Sequence, residues 1–213
     1  MLFIGVDLGT SAVKLLLMDE TGKIHKVVSK EYPLYFPQPG WSEQNPQDWI
    51  RQSMEGIKEL TAQCDKSQIK GISFGGQMHG LVVLDEKDQI IRPAILWNDG
   101  RTGKQTDYLN QEIGKETLSR YTGNIAFAGF TAPKILWMRE KEPENFARIR
   151  RIMLPKDYLA FYLSGEFSTD YSDASGTLLL DVEHKCWSEE MMEICGVRES
   201  QLPKLYESWE PTG

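Results

Sequence analysis

MLFIGVDLGTSAVKLLLM, residues 1–18, sets two apolar runs around a tight polar turn. Leu2 to Val6 ends at Asp7, and Val13 to Met18 follows the short segment Leu8-Gly9-Thr10-Ser11 after a single further residue, Ala12. Apolar runs of this length on either side of a glycine-bearing turn predict strand, sharp turn, strand. The turn gathers Gly9, Thr10 and Ser11 with Asp7 before them and Lys14 beyond. Backbone N–H groups and hydroxyls at such a turn donate to phosphate oxygens. A carboxylate beside them can hold a hydrated Mg²⁺. Phosphoryl transfer consists largely of this positioning and charge neutralisation. The plainer alternative stays open: Gly9 makes the turn and Asp7 caps it.

The 213 residues, 40% hydrophobic and 26% charged, fit a globular protein with a sizeable core. Cys64, Cys186 and Cys195 are far apart and odd in number. They predict a reducing compartment, neither a disulfide framework nor a zinc knot. His25, His79 and His184 show no metal-pair spacing. The chain opens directly into a strand with no leader pattern, so a cytoplasmic location is expected. No stretch has the length of a membrane span, so no membrane partner is expected. The net charge of −7 argues against nucleic acid as a partner.

Lys23 to Glu31 reads as a third strand. Pro33, Pro37 and Pro39-Gly40 mark an irregular connection, and Asn45-Pro46 opens a helix by capping and first-turn preference. Trp49, Ile50, Met54, Ile57 and Leu60 keep helical spacing. Ile69 to Phe74 reads as a buried strand, Leu81 to Leu84 as another, and Ile90-Ile91 as a short apolar pair. The order predicts an α/β fold with a mixed sheet. After Thr102 the pattern turns helical: 102–111, 115–119, 132–139, 143–148, 158–163 and 188–195. The expected anatomy is an α/β body over 1–100 and a mostly helical extension over 101–213 packed on it.

Two polar constellations stand out. Ile72 to Gly80, ISFGGQMHG, presents Gln77, Met78 and His79 just past a strand whose Gly75-Gly76 allows close approach. His79 reads equally as a structural histidine, and Met78 as core filler. Pro93 to Gly103, PAILWNDGRTG, brings Trp97, Asn98, Asp99 and Arg101 together. An indole face beside an amide, a carboxylate and a guanidinium suits a polyhydroxylated ligand. A buried Trp97 with an Asp99–Arg101 ion pair is the equal alternative. Asp157 in LPKDY reads best as a helix N-terminal acid. The chain has no GxxxxGK[ST], no GxGxxG and no protein-kinase signature set, which leaves those three nucleotide-binding designs unsupported.

These motifs, taken in order, resemble the amino-terminal part of the xylulokinases of the FGGY family of carbohydrate kinases. The resemblance rests on IGVDLGTS (4–11), GWSEQNP (40–46), GGQMHG (75–80) and RPAILWNDGR (92–101). It continues through TGN (122–124), GFTAPKILW (129–137), LPKDYL (154–159) and SDASGT (172–177). It implies a ribonuclease-H-like, actin-like ATPase lobe over residues 1–213. A carboxy-terminal nucleotide lobe lies outside them. It implies that ATP and Mg²⁺ are used, with Asp7 holding Mg²⁺ through water and Gly9, Thr10, Ser11 and Lys14 at the phosphates. It implies sugar contacts from Met78 and His79, with Trp97, Asn98, Asp99 and Arg101 in the same region.

The reaction implied is transfer of the γ-phosphoryl group of ATP to the 5-hydroxyl of D-xylulose. Other sugars of the family, such as ribulose, gluconate or fuculose, are the alternative, and a non-catalytic actin-like module is the alternative of another class. The family's general-base aspartate corresponds to a segment beyond Gly213, so no catalytic residue is expected among these residues and the chain alone is expected to be inactive. An uncovered far edge of the sheet leaves room for a homo-oligomer, such as a dimer.

Overall fold

A computed structural model describes residues 1–213. Strands β1 (Leu2–Leu8), β2 (Ala12–Asp19) and β3 (Ile24–Glu31) are followed by a two-residue strand β4 (Glu43–Gln44) and helix α1 (Pro46–Leu60). Next come β5 (Ile69–Gly76), β6 (Val82–Leu84) and β7 (Ala94–Ile95). β1 and β2 pair antiparallel as the opening stretch predicts, with Asp7 opposite Lys14 and Leu8 opposite Val13. β5 runs parallel to β1 on its other side, giving a mixed sheet in the order β3-β2-β1-β5.

Alternation assigns the two faces of this sheet. Ile4, Val6, Leu8, Val13, Leu15, Leu17 and Val28 point to one side and are buried with Trp49, Ile50 and Leu60 of α1. The other face carries Gly5, Leu16 and Val27 in one register row and Asp7 and Lys14 in the next. It stays open, with Val27 59% exposed. Asn45 caps α1 by accepting from the Gln47 backbone N–H, as Asn45-Pro46 predicts.

β5 departs from expectation. Its apolar run reads as a buried strand, yet Ile72 is 41% exposed and no strand pairs with its outer edge. An apolar run marks a strand but does not say whether it lies at the centre or the edge of a sheet. Ile90-Ile91 forms no strand; only an isolated bridge joins Leu84 to Ile90.

The second half contains α2 (Gly103–Asp107), a π-helical segment (Tyr108–Gly114), α3 (Lys115–Thr122), α4 (Thr131–Lys141) and α5 (Pro143–Ala147). Strand β8 (Arg151–Met153), α6 (Pro155–Ser164), β9 (Ser168–Asp170) and α7 (Tyr171–Ser175) follow. β10 (Leu180–Asp181), β11 (Cys186–Trp187), α8 (Glu189–Cys195) and β12 (Lys204–Tyr206) complete the chain. The continuous helix expected over 102–111 is instead a short α-turn running into the π segment. The four short strands after α6 escape sequence reading because each has only two or three residues.

Two apolar clusters form the core, and residue 100 does not divide them. β6 lies between them: Leu81 and Val83 face the second cluster, Val82 and Leu84 the first. Tyr158 and Leu159 of α6 return to the first cluster. No helix is long and apolar enough to cross a membrane.

Candidate functional site

The β1–β2 turn builds one side of the site. The Gly9 N–H donates to the Asp7 carbonyl at 3.2 Å and the Ala12 carbonyl at 3.1 Å, closing the turn. A side chain at Gly9 would meet the Ala12 carbonyl at 2.9 Å, so only glycine fits. Tyr32 supports the loop from behind, donating its hydroxyl to the Gly9 carbonyl. Burial, then the nearby Asp7 charge, keeps that hydroxyl protonated by raising its pKa above the ordinary tyrosine range. Asp7, Ser11 and Lys14 are exposed. The Asp7 carboxylate is therefore presented to solvent on the open sheet face.

The β5 end builds the other side. The Gln77 N–H donates to the Leu8 carbonyl at 2.7 Å, fastening this loop to β1. Buried Gln44 joins the two loops. Its Nε2 donates to the Thr10 carbonyl at 2.6 Å, and its Oε1 accepts from Gln77 Nε2 at 2.9 Å and Trp49 Nε1 at 3.1 Å. Gln77 Oε1 is buried without a partner. Met78 is 41% exposed, which fits a contact residue better than core filler. Trp97, 42% exposed, donates its Nε1 to Thr10 Oγ1 at 3.0 Å, so the indole spans from the sugar-like constellation to the turn. Asn98 is exposed beside it.

His79 is half-buried and has a positive φ of 61°. Its ring packs on Phe130 with centroids 4.6 Å apart. Gly176 closes the other side so tightly that a methyl group there would overlap the imidazole. Its Nδ1 is buried and makes no hydrogen bond. Burial, then the neighbouring Lys134 charge, lowers its pKa below the ordinary histidine value, so the ring is neutral at pH 7. The His79 carbonyl accepts from Thr131 Oγ1 and Lys134 Nζ, each at 3.1 Å.

Asp99 and Arg101 are brought to this region but do not line it. Asp99 is 2% exposed and both its oxygens are taken. Oδ1 accepts from the Arg101 N–H at 2.9 Å and Nε at 2.8 Å; Oδ2 accepts from the Ser42 N–H at 2.5 Å and an Arg101 guanidinium nitrogen at 2.7 Å. Arg101 also pairs with Glu43 at 2.7 Å and lies 3.7 Å over the Trp41 ring. The structure forms the Asp99–Arg101 ion pair of the alternative reading, but Trp97 is exposed and not buried as that reading had it. Asp157 is the helix N-terminal acid expected, accepting from the Leu154 N–H at 3.4 Å. Burial raises its pKa against the pull of Lys156.

Sequence reading missed Trp41, Gln44, Lys134 and Gly176. They sit in the GWSEQNP, GFTAPKILW and SDASGT stretches, where a buried glutamine, lysine or glycine looks like any surface residue. Lys156 was also missed: it bridges Asp157 and Asp170 at 2.7 Å each and Asp173 at 3.2 Å, fixing α7 beside His79. No group of three or more acid, His or Cys side chains forms a metal cage. The lone exposed Asp7 fits a cation held through water.

Known proteins are similar to this chain in sequence and fold. The chain is 48% identical over 212 residues to the xylulose kinase of Lactococcus lactis subsp. lactis, covering 99% of this chain and 42% of that protein. It is 42% identical to the xylulose kinase of Escherichia coli, covering 100% of this chain and 43% of that protein. A crystal structure of a xyloylose kinase from Brucella ovis superposes with a TM-score of 0.93 at 44% identity, covering 97% of this chain and 43% of that one. A gluconate kinase from Lactobacillus acidophilus superposes with a TM-score of 0.91 at 31% identity, covering 96% of this chain and 42% of that one. The chain thus spans less than half the length of these relatives. With a match over residues 2–213 to the N-terminal domain of the FGGY family of carbohydrate kinases, the chain belongs to that family and has its actin-like α/β fold.

Proposed function

We propose that the protein containing this chain transfers the γ-phosphoryl group of ATP to the 5-hydroxyl of D-xylulose, giving D-xylulose 5-phosphate. The observation that carries the reading is the joining of a phosphate-type turn to a sugar-type corner through Gln44 and the Trp97–Thr10 bond. The names of the 48% and 42% identical relatives supply the sugar. ATP supplies the phosphoryl group, and Mg²⁺ neutralises charge on it. Asp7 would hold the cation through water, and the N–H groups and hydroxyls of Thr10 and Ser11, with Lys14, would face the phosphates, while Gly9 shapes the turn with its own N–H bonded inside it. Met78, His79, Trp97 and Asn98 contact the sugar. A neutral His79 gives and takes hydrogen bonds at a polyol without adding charge. Asp99 and Arg101 hold the Trp97 loop and make no sugar contact.

The base that accepts the hydroxyl proton lies outside this chain. The carboxylate sequence reading would nominate, Asp99, is locked by Arg101, and Asp173 by Lys156. The 213-residue chain alone therefore does not turn over, although it retains weak sugar affinity. The reaction belongs in the cytoplasm, in keeping with three free cysteines. The free edge of β5 supports self-association of this chain.

A second reading, a gluconate kinase, is favoured by the superposition on the Lactobacillus acidophilus enzyme. A panel of xylulose, ribulose, fuculose and gluconate with the full-length protein separates them. Highest kcat/KM on xylulose is expected, and preference for gluconate overturns the assignment. ADP release by the purified chain, alone with xylulose, ATP and Mg²⁺, would overturn the placement of the base.

A further inference from the structure

We infer that Lys134 is a positioning residue for the sugar corner, its ammonium fixing the turn at His79 so that its loss weakens sugar use and spares ATP use. The inference rests on the sugar-kinase reading above. Lys134 is 0% exposed, and a buried ammonium is costly unless fully matched. Burial lowers its pKa to about 7 against the pull of the Asp99 charge, and no carboxylate forms an ion pair with it, since Asp99 is already bound to Arg101. Instead Lys134 donates to three backbone carbonyls, those of His79, Gly129 and Phe130. These come from two different segments, the loop after β5 and the turn before α4.

Three carbonyls and no donor surround Nζ, an arrangement that the three protons of an ammonium match and that the two protons of the neutral amine would still fill in part. Packing alone does not call for a charge here, since an apolar chain of similar volume fills such a space as well. What the charge supplies is a join. His79 adopts a left-handed backbone, disfavoured for any residue with a Cβ. Its carbonyl is held by Lys134 and Thr131 alone among side chains. The same ammonium holds the Phe130 carbonyl, and the Phe130 ring is the wall on which the imidazole rests. One group thus sets both the direction of His79 and the surface behind it. The turn of Gly9 to Ser11 makes no hydrogen bond to Lys134, which is why the phosphate side is spared.

The test uses the full-length protein carrying Lys134→Met or Thr131→Val, with KM and kcat read separately for sugar and ATP. Lys134→Met is expected to raise the sugar KM about tenfold or more, the scale of a hydrogen bond lost with its partner left buried, with ATP KM unchanged. An equal loss for both substrates, or an unchanged sugar KM, overturns the inference. If Lys134→Met fails to fold, Thr131→Val decides, since it removes one donor to the His79 carbonyl and leaves the ammonium. A sugar KM raised about threefold supports the inference, and an unchanged one overturns it. A wild-type enzyme that phosphorylates no sugar in the panel overturns the functional reading alone. The His79 ring proton signal in Thr131→Val then tests the inference: displaced from wild type it stands, unmoved it falls.

Discussion

The β1–β2 turn and the sugar corner handle polar groups in opposite ways. Asp7, Ser11 and Lys14 stand exposed on an open sheet face, free of the fold and available to a ligand. In the corner most polar groups are spent internally: Asp99 on Arg101 and Ser42, Lys134 on three carbonyls, Gln44 on Thr10 and Gln77. Only Met78, Trp97, Asn98 and part of His79 remain exposed there, and they are the proposed sugar contacts. The turn is a place where charge is displayed, whereas the corner is a place where charge makes a rigid wall for a few contact residues. Precise placement of a neutral polyol needs such a wall; a phosphate with its cation needs reachable charge.

The comparison breaks most visibly on stability. Asp99→Ala leaves Arg101 buried with half its partners gone and is expected to cost about 3–5 kcal/mol. Asp7→Ala, at an exposed position, is expected to leave stability nearly unchanged. Urea unfolding of the chain checks both, and equal effects would show that the two regions do not differ in this way. Next in size, Gly176→Ala drives a methyl into the His79 ring, and an overpacking cost of about 1–3 kcal/mol is expected in the same assay. Full stability in this variant would mean that the imidazole moves freely. Thr10→Ala removes the acceptor of a half-exposed Trp97, so a loss of about 0.5–1.5 kcal/mol is expected, with a change in tryptophan emission.

The smallest effect is on pH dependence. His79 has its pKa lowered in the fold, so the unfolded chain binds more protons across the interval between the two values. Its contribution makes stability fall as pH drops through the ordinary histidine range, about 6.5. His184, held by Asp181, has its pKa raised and works in the opposite sense, its contribution full below the ordinary histidine value and lost as pH rises through the raised one. His79→Asn is expected to flatten the acid-side fall in urea midpoints. An unchanged slope would show that His79 is not held neutral.

The sheet was legible because two apolar runs in residues 2–19 flank a short glycine-bearing turn. The placement of Asp7 and Lys14 on one sheet face was legible too, since parity alone sets them opposite Val6 and Leu15. The corner was only half legible. A sequence shows that Asp99 and Arg101 are two apart, but not that Ser42, 57 residues before Asp99, arrives with its neighbours Trp41 and Glu43 to bury them. Lys134 was hidden altogether, since its partners are backbone carbonyls, which every residue has. The edge position of β5 was illegible because Ile69, Ile72 and Phe74 mark a strand without showing whether a neighbour pairs with its outer side.

The most direct test of this division of labour is a pair of substitutions in the full-length protein, His79→Ala and Asp7→Ala, each read for kcat/KM with xylulose and with ATP varied in turn. His79→Ala is expected to raise the xylulose KM about tenfold to a hundredfold with ATP KM unchanged. Asp7→Ala is expected to depress kcat steeply while the xylulose KM stays close to wild type. Matching losses for both substrates in both variants would contradict the account, because they would show that the turn and the corner act on the ligands as one undivided surface.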